Sequence, residues 1–333
     1  MLKARLNRYP SCLSDLAVIK LLNIASRYFG VLLLLFCGKA SGFSHLVVFG
    51  DSLSDGGNLA GIVGLPPPYY NNRISNGPVA VDLVAGQLGL SADYSRHLFS
   101  SRGGENYAVG GANAGGNDLQ DLSRQLSAFS ARHPAGLGPD ALYIIMIGGN
   151  DIRDARGQVS VVQRTAITSA AVTAIENLVQ QLLTRGARNI LVANAPDISR
   201  IPETLQAAVS DPDVVLRARD ATQSFNSSLK QMLDLFPRSN NINLMQFDLY
   251  QTVNQILNNP SGFGFSVSTQ QCFNPDNFQL VPGCDFRRYV FFDRIHPTSR
   301  THGIIAQRMI SMLRSESNPS PAGWIGAIQL LLD

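Results

Sequence analysis

The chain has 333 residues, 45% hydrophobic and 15% charged, which sets intrinsic disorder aside and leaves room for one large domain or two small ones. Its 27 Lys and Arg against 24 Asp and Glu give a net charge of +3, yet the first 40 residues hold six of those cations and one acid, Asp15. The remaining 21 basic and 23 acidic residues balance at −2, so no concentrated basic face argues for a nucleic acid partner.

Residues 31–37 are the most apolar stretch; Lys20 and Arg27 precede them and Gly38, Lys39 and Ala40 follow. That order of basic region, short apolar region and small-residue exit reads as a secretory signal peptide over residues 1–40, cleaved near Ala40. An uncleaved anchor is the alternative, although the run falls well short of the ~20 apolar residues that a membrane span requires. Bulky Phe36 before Cys37 argues against a lipoprotein site. The expected mature domain is therefore 41–333, secreted or periplasmic. With Cys12 and Cys37 in the leader, Cys272 and Cys284 remain, and an oxidising compartment would pair them as a disulfide; two free thiols are the alternative.

From residue 45 onward short apolar runs alternate with stretches of helical character, the pattern of an α/β fold with a parallel sheet covered by helices. The first strand is expected at 45–49. Residues 65–77, rich in Pro and Asn, read as a loop near that strand's active end, with Tyr69 and Tyr70 either lining a groove or packing on the body. A helix is expected over 79–88, a weaker strand near 91–98, a helix over 119–129 and a strand at 142–147. Residues 159–183 carry Ala171, Ile175, Leu178 and Leu182 at helical spacing and close on Arg185 and Gly186, a strong helix signature. Strands at 189–193 and 243–247 flank a helix over 214–236. Residues 260–288, with several Gly and Pro and both cysteines, form an insertion read as a candidate lid or a stabilised loop. A final helix covers 299–313, and an apolar segment, 322–332, follows it.

Ser52 stands in Gly50-Asp51-Ser52-Leu53-Ser54, at the carboxyl end of the first strand, where open α/β sheets bind ligands. Ser54 replaces the second glycine of the Gly-x-Ser-x-Gly elbow, so a different turn is expected. Far downstream, Asp293 and His296 lie three residues apart, a spacing that brings side chains together across one helical turn. A serine hydroxyl is a weak nucleophile until a base removes its proton, and a histidine works reliably when a carboxylate fixes its tautomer. The reading is Ser52 as nucleophile, His296 as general base and then general acid, and Asp293 as its orienter. Taken singly, Asp293 could be a helix cap and His296 a surface histidine. A tetrahedral oxyanion needs donors already in place. The Ser52 and Gly110 backbone amides and the Asn150 side chain are the candidates, with Gly111 the fallback for Gly110.

These blocks, Phe49 to Asp55, the glycines at 110–111, Gly148-Gly149-Asn150-Asp151 and Asp293-Arg-Ile-His296-Pro297, resemble the four ordered blocks of the GDSL lipase/esterase family, also called SGNH hydrolases. The extended form from Asp51 to Asn58 and the cysteine loop are similar to secreted bacterial phospholipases A, lysophospholipases and glycerophospholipid-cholesterol acyltransferases. The resemblance implies a three-layer α/β/α, flavodoxin-like fold with a five-stranded parallel sheet, and cofactor-free acyl transfer through a seryl ester.

The expected substrate is a lipid ester, a phospholipid or lysophospholipid met at a membrane surface, with transfer of the acyl group to a sterol as a second fate. A carbohydrate acetylesterase or short-chain esterase is the enzymatic alternative, and a catalytically inactive binding protein with the same fold is the non-enzymatic one. No metal is expected: His45, His97, His133 and His302 are isolated in sequence. Gly103-Gly104 and Gly115-Gly116 lack the residues of a phosphate-binding loop. Oligomeric state is not legible at this level.

Overall fold

Strand β1 (His45–Gly50) is buried from Leu46 to Gly50 and continues straight into the Ser52 turn. A strand this apolar on successive residues must be covered on both faces. The computed structural model, which describes residues 42–100, 103–237 and 241–317, shows that cover. The expected leader 1–40 and the apolar segment 322–332 lie outside the described residues. From Phe43 onward the described chain forms one compact unit.

In chain order the further elements are α1 (Ala60–Val63), α2 (Ala80–Leu88), α3 (Leu122–Arg132), β2 (Ala141–Met146), α4 (Gly149–Arg156), α5 (Val161–Thr184) and β3 (Asn189–Ala193). After them come α6 (Pro202–Ala207), α7 (Val214–Asp234), β4 (Asn243–Phe247) and α8 (Leu249–Asn258). The four strands pair in parallel in the order β1-β2-β3-β4, with Val48 beside Ile144, Ile144 beside Leu191 and Leu191 beside Met245. Helices α4, α5 and α7 pack on one another; α2 packs instead on the last helix, α9 (Ser299–Ser317). Two helical groups around one buried parallel sheet make the three-layer α/β/α class.

Among the described residues the regular sheet has four strands where five were expected. The fifth position is held by the extended segment 105–109, which lies against the free edge of β1. Val48 N–H donates to Glu105 O, Tyr107 N–H to Val48 O and Val109 N–H to Gly50 O, at 3.0, 2.7 and 3.1 Å. Its outer carbonyls, Asn106 O and Ala108 O, accept from the Asn58 side chain, so no full strand pairs beyond it. The strand expected near 91–98 shrinks to one bridge, Tyr94 with Asn106, and the chain turns away at Arg96, whose φ is +60°. Counting 105–109 as second in the chain, the spatial order becomes 2-1-3-4-5. That order places a topological switch point between β1 and β2, where doubly wound sheets open a crevice.

The insertion has its own structure. Strand β5 (Val267–Gln271) pairs in parallel with β8 (Tyr289–Phe291), and a hairpin of β6 (Phe273–Asn274) and β7 (Gln279–Leu280) projects between them. Cys272 and Cys284 are joined as a disulfide. Tyr69, from the loop at 65–77, packs edge-on against Phe273 and Phe292, centroids 5.5 and 5.3 Å away, while Tyr70 remains exposed. Of the two readings for Tyr69, packing on the body is the one realised.

Candidate active site

The Ser52 turn is shaped by its neighbours. Gly50 lies so close to β2 that a β-carbon there would stand 2.5 Å from Met146 O, which demands a glycine. Both main-chain groups of Gly50 are clipped by the buried Gln125 side chain, at 2.9 and 2.8 Å. Asp51 Oδ1 accepts from Leu53 N–H at 3.0 Å, an Asx turn that leaves Ser52 at its tip. Ser52 therefore sits at the carboxyl end of β1, beside the switch-point crevice.

The Asp293–His296 turn is equally local in origin. Asp293 Oδ1 accepts from the main-chain N–H groups of Ile295 and His296, at 2.8 and 2.7 Å, and the imidazole Nδ1 lies 2.7 Å from Asp293 Oδ2. On the other side of the ring, Nε2 lies 2.8 Å from Ser52 Oγ. A carboxylate accepts only, so the ring proton belongs on Nδ1 and leaves Nε2 to accept from the serine hydroxyl. Burial pushes the Asp293 carboxyl upward, but the His296 ring and the two N–H donors outweigh it and hold the group below the usual carboxylate range. It therefore stays ionised beside the ring.

The candidate oxyanion donors divide. Gly110 N–H donates to Asp55 Oδ2 at 2.8 Å, and the space at its α-carbon is filled by Ile74 and Leu59, so the amide expected in the hole is already bonded inward. Asp55 gathers the Gly57, Asn58 and Leu59 N–H groups as well and anchors the whole segment. Gly111, the fallback, has φ +82°, open space around its α-carbon, and an N–H with no acceptor among the described residues. Ser52 N–H is likewise without an acceptor there. Asn150, in the first turn of α4, donates from Nδ2 to Ala112 O at 2.8 Å and keeps its second N–H. Asp151 secures the same segment, accepting from Ala114 and Gly115 N–H at 2.8 and 2.9 Å.

A largely apolar cavity opens beside Ser52, with about 610 Å³ of empty space, its open mouth included. Leu53, Ile198, Ile201, Leu249, Val253 and Ile305 contribute to its walls, and Asp51, Asn150 and Arg153 supply polar lining. Burial pushes Asp51 up to about 6, against the Leu53 N–H and the nearby His296 ring. Among the described residues no His, Cys, Asp or Glu cluster forms a metal-holding group.

Sequence reasoning did not single out Asp55, Gln125, Arg153 or Glu203. Asp55 lay within the quoted motif beside three of its N–H partners, Gly57, Asn58 and Leu59, but the fourth, Gly110, is brought to it only by the fold. Arg153 stands three residues after Asn150, a signal that required knowing residues 149–156 to be helical.

A family model described as GDSL-like lipase/acylhydrolase matches residues 46–309. Lipase 1 of Photorhabdus luminescens is 26% identical over 352 residues, covering 83% of this chain and 51% of that protein. The chain thus spans about half the length of that relative. A GDSL esterase/lipase of Arabidopsis thaliana is 28% identical over 326 residues, covering 83% and 90% of the two chains. Acetylajmalan esterase 2 of Rauvolfia serpentina is 26% identical over 333 residues, covering 82% and 91%. Among solved structures, the acetylxylan esterase Axe2 of Geobacillus stearothermophilus superposes with a TM-score of 0.44 at 16% identity, over 81% of this chain and 94% of that one. The matched span runs from the strand before Ser52 to the helix after His296, and on that match this chain belongs to the GDSL-like lipase/acylhydrolase family.

Proposed function

We propose that this member of an esterase family hydrolyses acyl ester bonds of phospholipids or lysophospholipids through a covalent ester at Ser52. The observation that carries the reading is the 2.8 Å contact between Ser52 Oγ and His296 Nε2 at the mouth of an apolar cavity. In the proposed sequence Oγ attacks the ester carbonyl carbon as Nε2 accepts its proton. The negative charge developing on the carbonyl oxygen is met by Ser52 N–H, Gly111 N–H and the free N–H of Asn150 Nδ2, and Asp293 stabilises the imidazolium. Collapse expels the glycerol oxygen, which takes the proton from Nε2, and leaves the acyl group on Ser52 with its chain among Leu53, Ile198, Val253 and Ile305. Water, activated by the same nitrogen, then releases the fatty acid; a sterol hydroxyl in its place would yield a sterol ester.

The test is fatty-acid release from a long-chain lysophospholipid. Ser52→Ala should abolish it, and undiminished release would remove Ser52 as nucleophile. A second reading, cleavage of acetyl or other short-chain esters, draws on the relative named as an acetylajmalan esterase. A chain-length series of p-nitrophenyl esters separates the two: an acetyl-restricted pocket rejects longer chains, whereas a lipid pocket gains activity as the chain lengthens. Export is part of the proposal, supported by the Cys272–Cys284 disulfide, which is at home in an oxidising compartment. N-terminal sequencing of the mature protein, expected to begin near residue 41, checks it.

A further inference from the structure

Behind Asn150 runs a chain of contacts that the chemistry above does not use. Arg153 follows Asn150 by three residues on α4 (Gly149–Arg156), and its Nη1 donates to Asn150 Oδ1 at 2.9 Å. The same guanidinium is gripped from its other edge by Glu203, with Nε to Oε2 at 2.9 Å and Nη2 to Oε1 at 2.8 Å. Such a two-point contact fixes the plane of the guanidinium as well as its position. Glu203 stands in the first turn of α6 (Pro202–Ala207), and its carboxylate also accepts from Arg156. Its main-chain N–H donates to Arg294 O at 2.9 Å, inside the turn that joins Asp293 to His296.

A primary amide has two nearly isosteric orientations that exchange donor and acceptor. With its oxygen turned toward the cavity, Asn150 would present a lone pair to a developing oxyanion and repel it. That orientation would also set Nδ2 against the Arg153 N–H groups, donor against donor, and a guanidinium has no acceptor to offer in return. The cation therefore selects the orientation seen, in which Oδ1 faces Arg153 and Nδ2 bonds Ala112 O with one N–H to spare. Burial pushes the Glu203 carboxyl upward, yet Arg153 and Arg156 outweigh it and hold the group below its ordinary range, so the grip persists at neutral pH.

We infer that Arg153, gripped by Glu203, is the positioning residue that locks the Asn150 amide as an oxyanion donor, and that Glu203 ties this donor to the His296 turn through Arg294. The inference rests on the proposed reading of Asn150 as a donor to the oxyanion. It concerns orientation: Arg153 acts on the reaction through Asn150.

The experiment measures kcat, KM and Tm with a p-nitrophenyl ester turned over by the wild type. The variants are Asn150→Ala, Arg153→Met, Arg153→Lys, Glu203→Gln and the Asn150→Ala/Arg153→Met pair. Removing an oxyanion donor costs ~10²–10³-fold in kcat, so Asn150→Ala is expected in that range. Arg153→Met should lower kcat by roughly 10- to 100-fold with KM little changed, and the pair should be no slower than Asn150→Ala alone, since residues acting through one interaction are non-additive. Arg153→Lys, which keeps one donor, should recover part of the loss. A wild-type kcat in Arg153→Met, or losses that multiply in the pair, overturns the inference while Asn150 stays a donor. Wild-type kcat in Asn150→Ala overturns the donor reading itself and the inference with it. If Arg153→Met does not fold, the other two variants decide. Slower turnover at near-wild-type Tm in both Arg153→Lys and Glu203→Gln supports the lock, and unchanged kcat in either one sinks it.

Discussion

Ser52 and His296 meet at 2.8 Å but hang from different parts of the molecule. The serine turn is rooted in the parallel sheet: Gly50 is clipped by Gln125, Asp51 N–H reaches Met146 O, and Asp55 gathers four main-chain donors. The histidine turn follows β8, which pairs with β5 outside that sheet. Phe292 O accepts from Cys272 and Phe273 N–H at 3.1 and 2.7 Å, and Phe292 N–H donates to His296 O at 2.8 Å. The proposed nucleophile thus inherits the stability of the parallel sheet, whereas the proposed base follows β8, a buried strand whose partner β5 and neighbouring β7 are partly or fully exposed. Local opening is cheapest where few apolar contacts must be broken, so the base side is expected to yield first.

The strongest way to break the contrast is on the core side. Ser52→Ala should lower kcat by about 10⁶-fold while shifting Tm little, because the hydroxyl contributes chemistry rather than packing. Steady-state kinetics beside a thermal melt checks this, and substantial residual turnover would mean that the sheet-borne turn is not the reacting half. Next comes the insertion. Replacing both Cys272 and Cys284 by Ala removes a cross-link worth roughly 3 kcal/mol to the unfolded-chain entropy. Hydrogen exchange should then quicken at 267–292 before it quickens in β1, with kcat falling in step; uniform quickening would show the two regions to be one cooperative unit.

Asp51 tests the cost of charge within the core-rooted half. Its folded-state value of about 6 lies above the ordinary 3.8. The native state is therefore fully favoured below about pH 4 and loses stability as the pH rises through about 6. Asp51→Asn, which keeps the acceptor for Leu53 N–H, should match the wild type at pH 4 and exceed it by about 2–3 kcal/mol at pH 8. Denaturant melts at the two pH values measure the difference, and an equal gap at both would refute the charge argument. The smallest effect belongs to the exposed pair Arg294–Asp276, 2.7 Å apart on the insertion. Arg294→Ala should cost less than about 1 kcal/mol, and a larger loss would mean that side-chain ties hold the histidine turn as firmly as its main-chain bonds do.

How far the site could be read in advance follows from where its determinants lie. Ser52, Asp293 and His296 sit in short segments whose turns are built from their own neighbours, so the motif carried the geometry. The donors were harder. Gly110 and Gly111 are adjacent and chemically identical, and only the arrival of Asp55 from the nucleophile loop assigns one amide to the scaffold and leaves the other open. Helix α4 has a polar, charged sequence that does not announce itself; Ile152 and Ala155 become fully buried only when α5 and α7 pack against it. Strands β1, β2 and β3 were legible because both faces are buried, giving apolar runs, whereas β4 alternates between buried Met245 and Phe247 and half-buried neighbours. The fifth position was not, since Asn58 satisfies carbonyls that a neighbouring strand would otherwise take.

The walls of the cavity beside Ser52 include Leu249 and Val253 of α8 and Ile305 of α9, residues that belong to neither the Ser52 turn nor the His296 turn. Leu53 and Ile295 of those turns share the lining, so on the proposed reading only part of what would gauge a bound chain is encoded apart from what would cleave it. Exchange of a few aliphatic side chains on two helices can therefore retune substrate range, in nature or by engineering, while the reacting atoms keep their places.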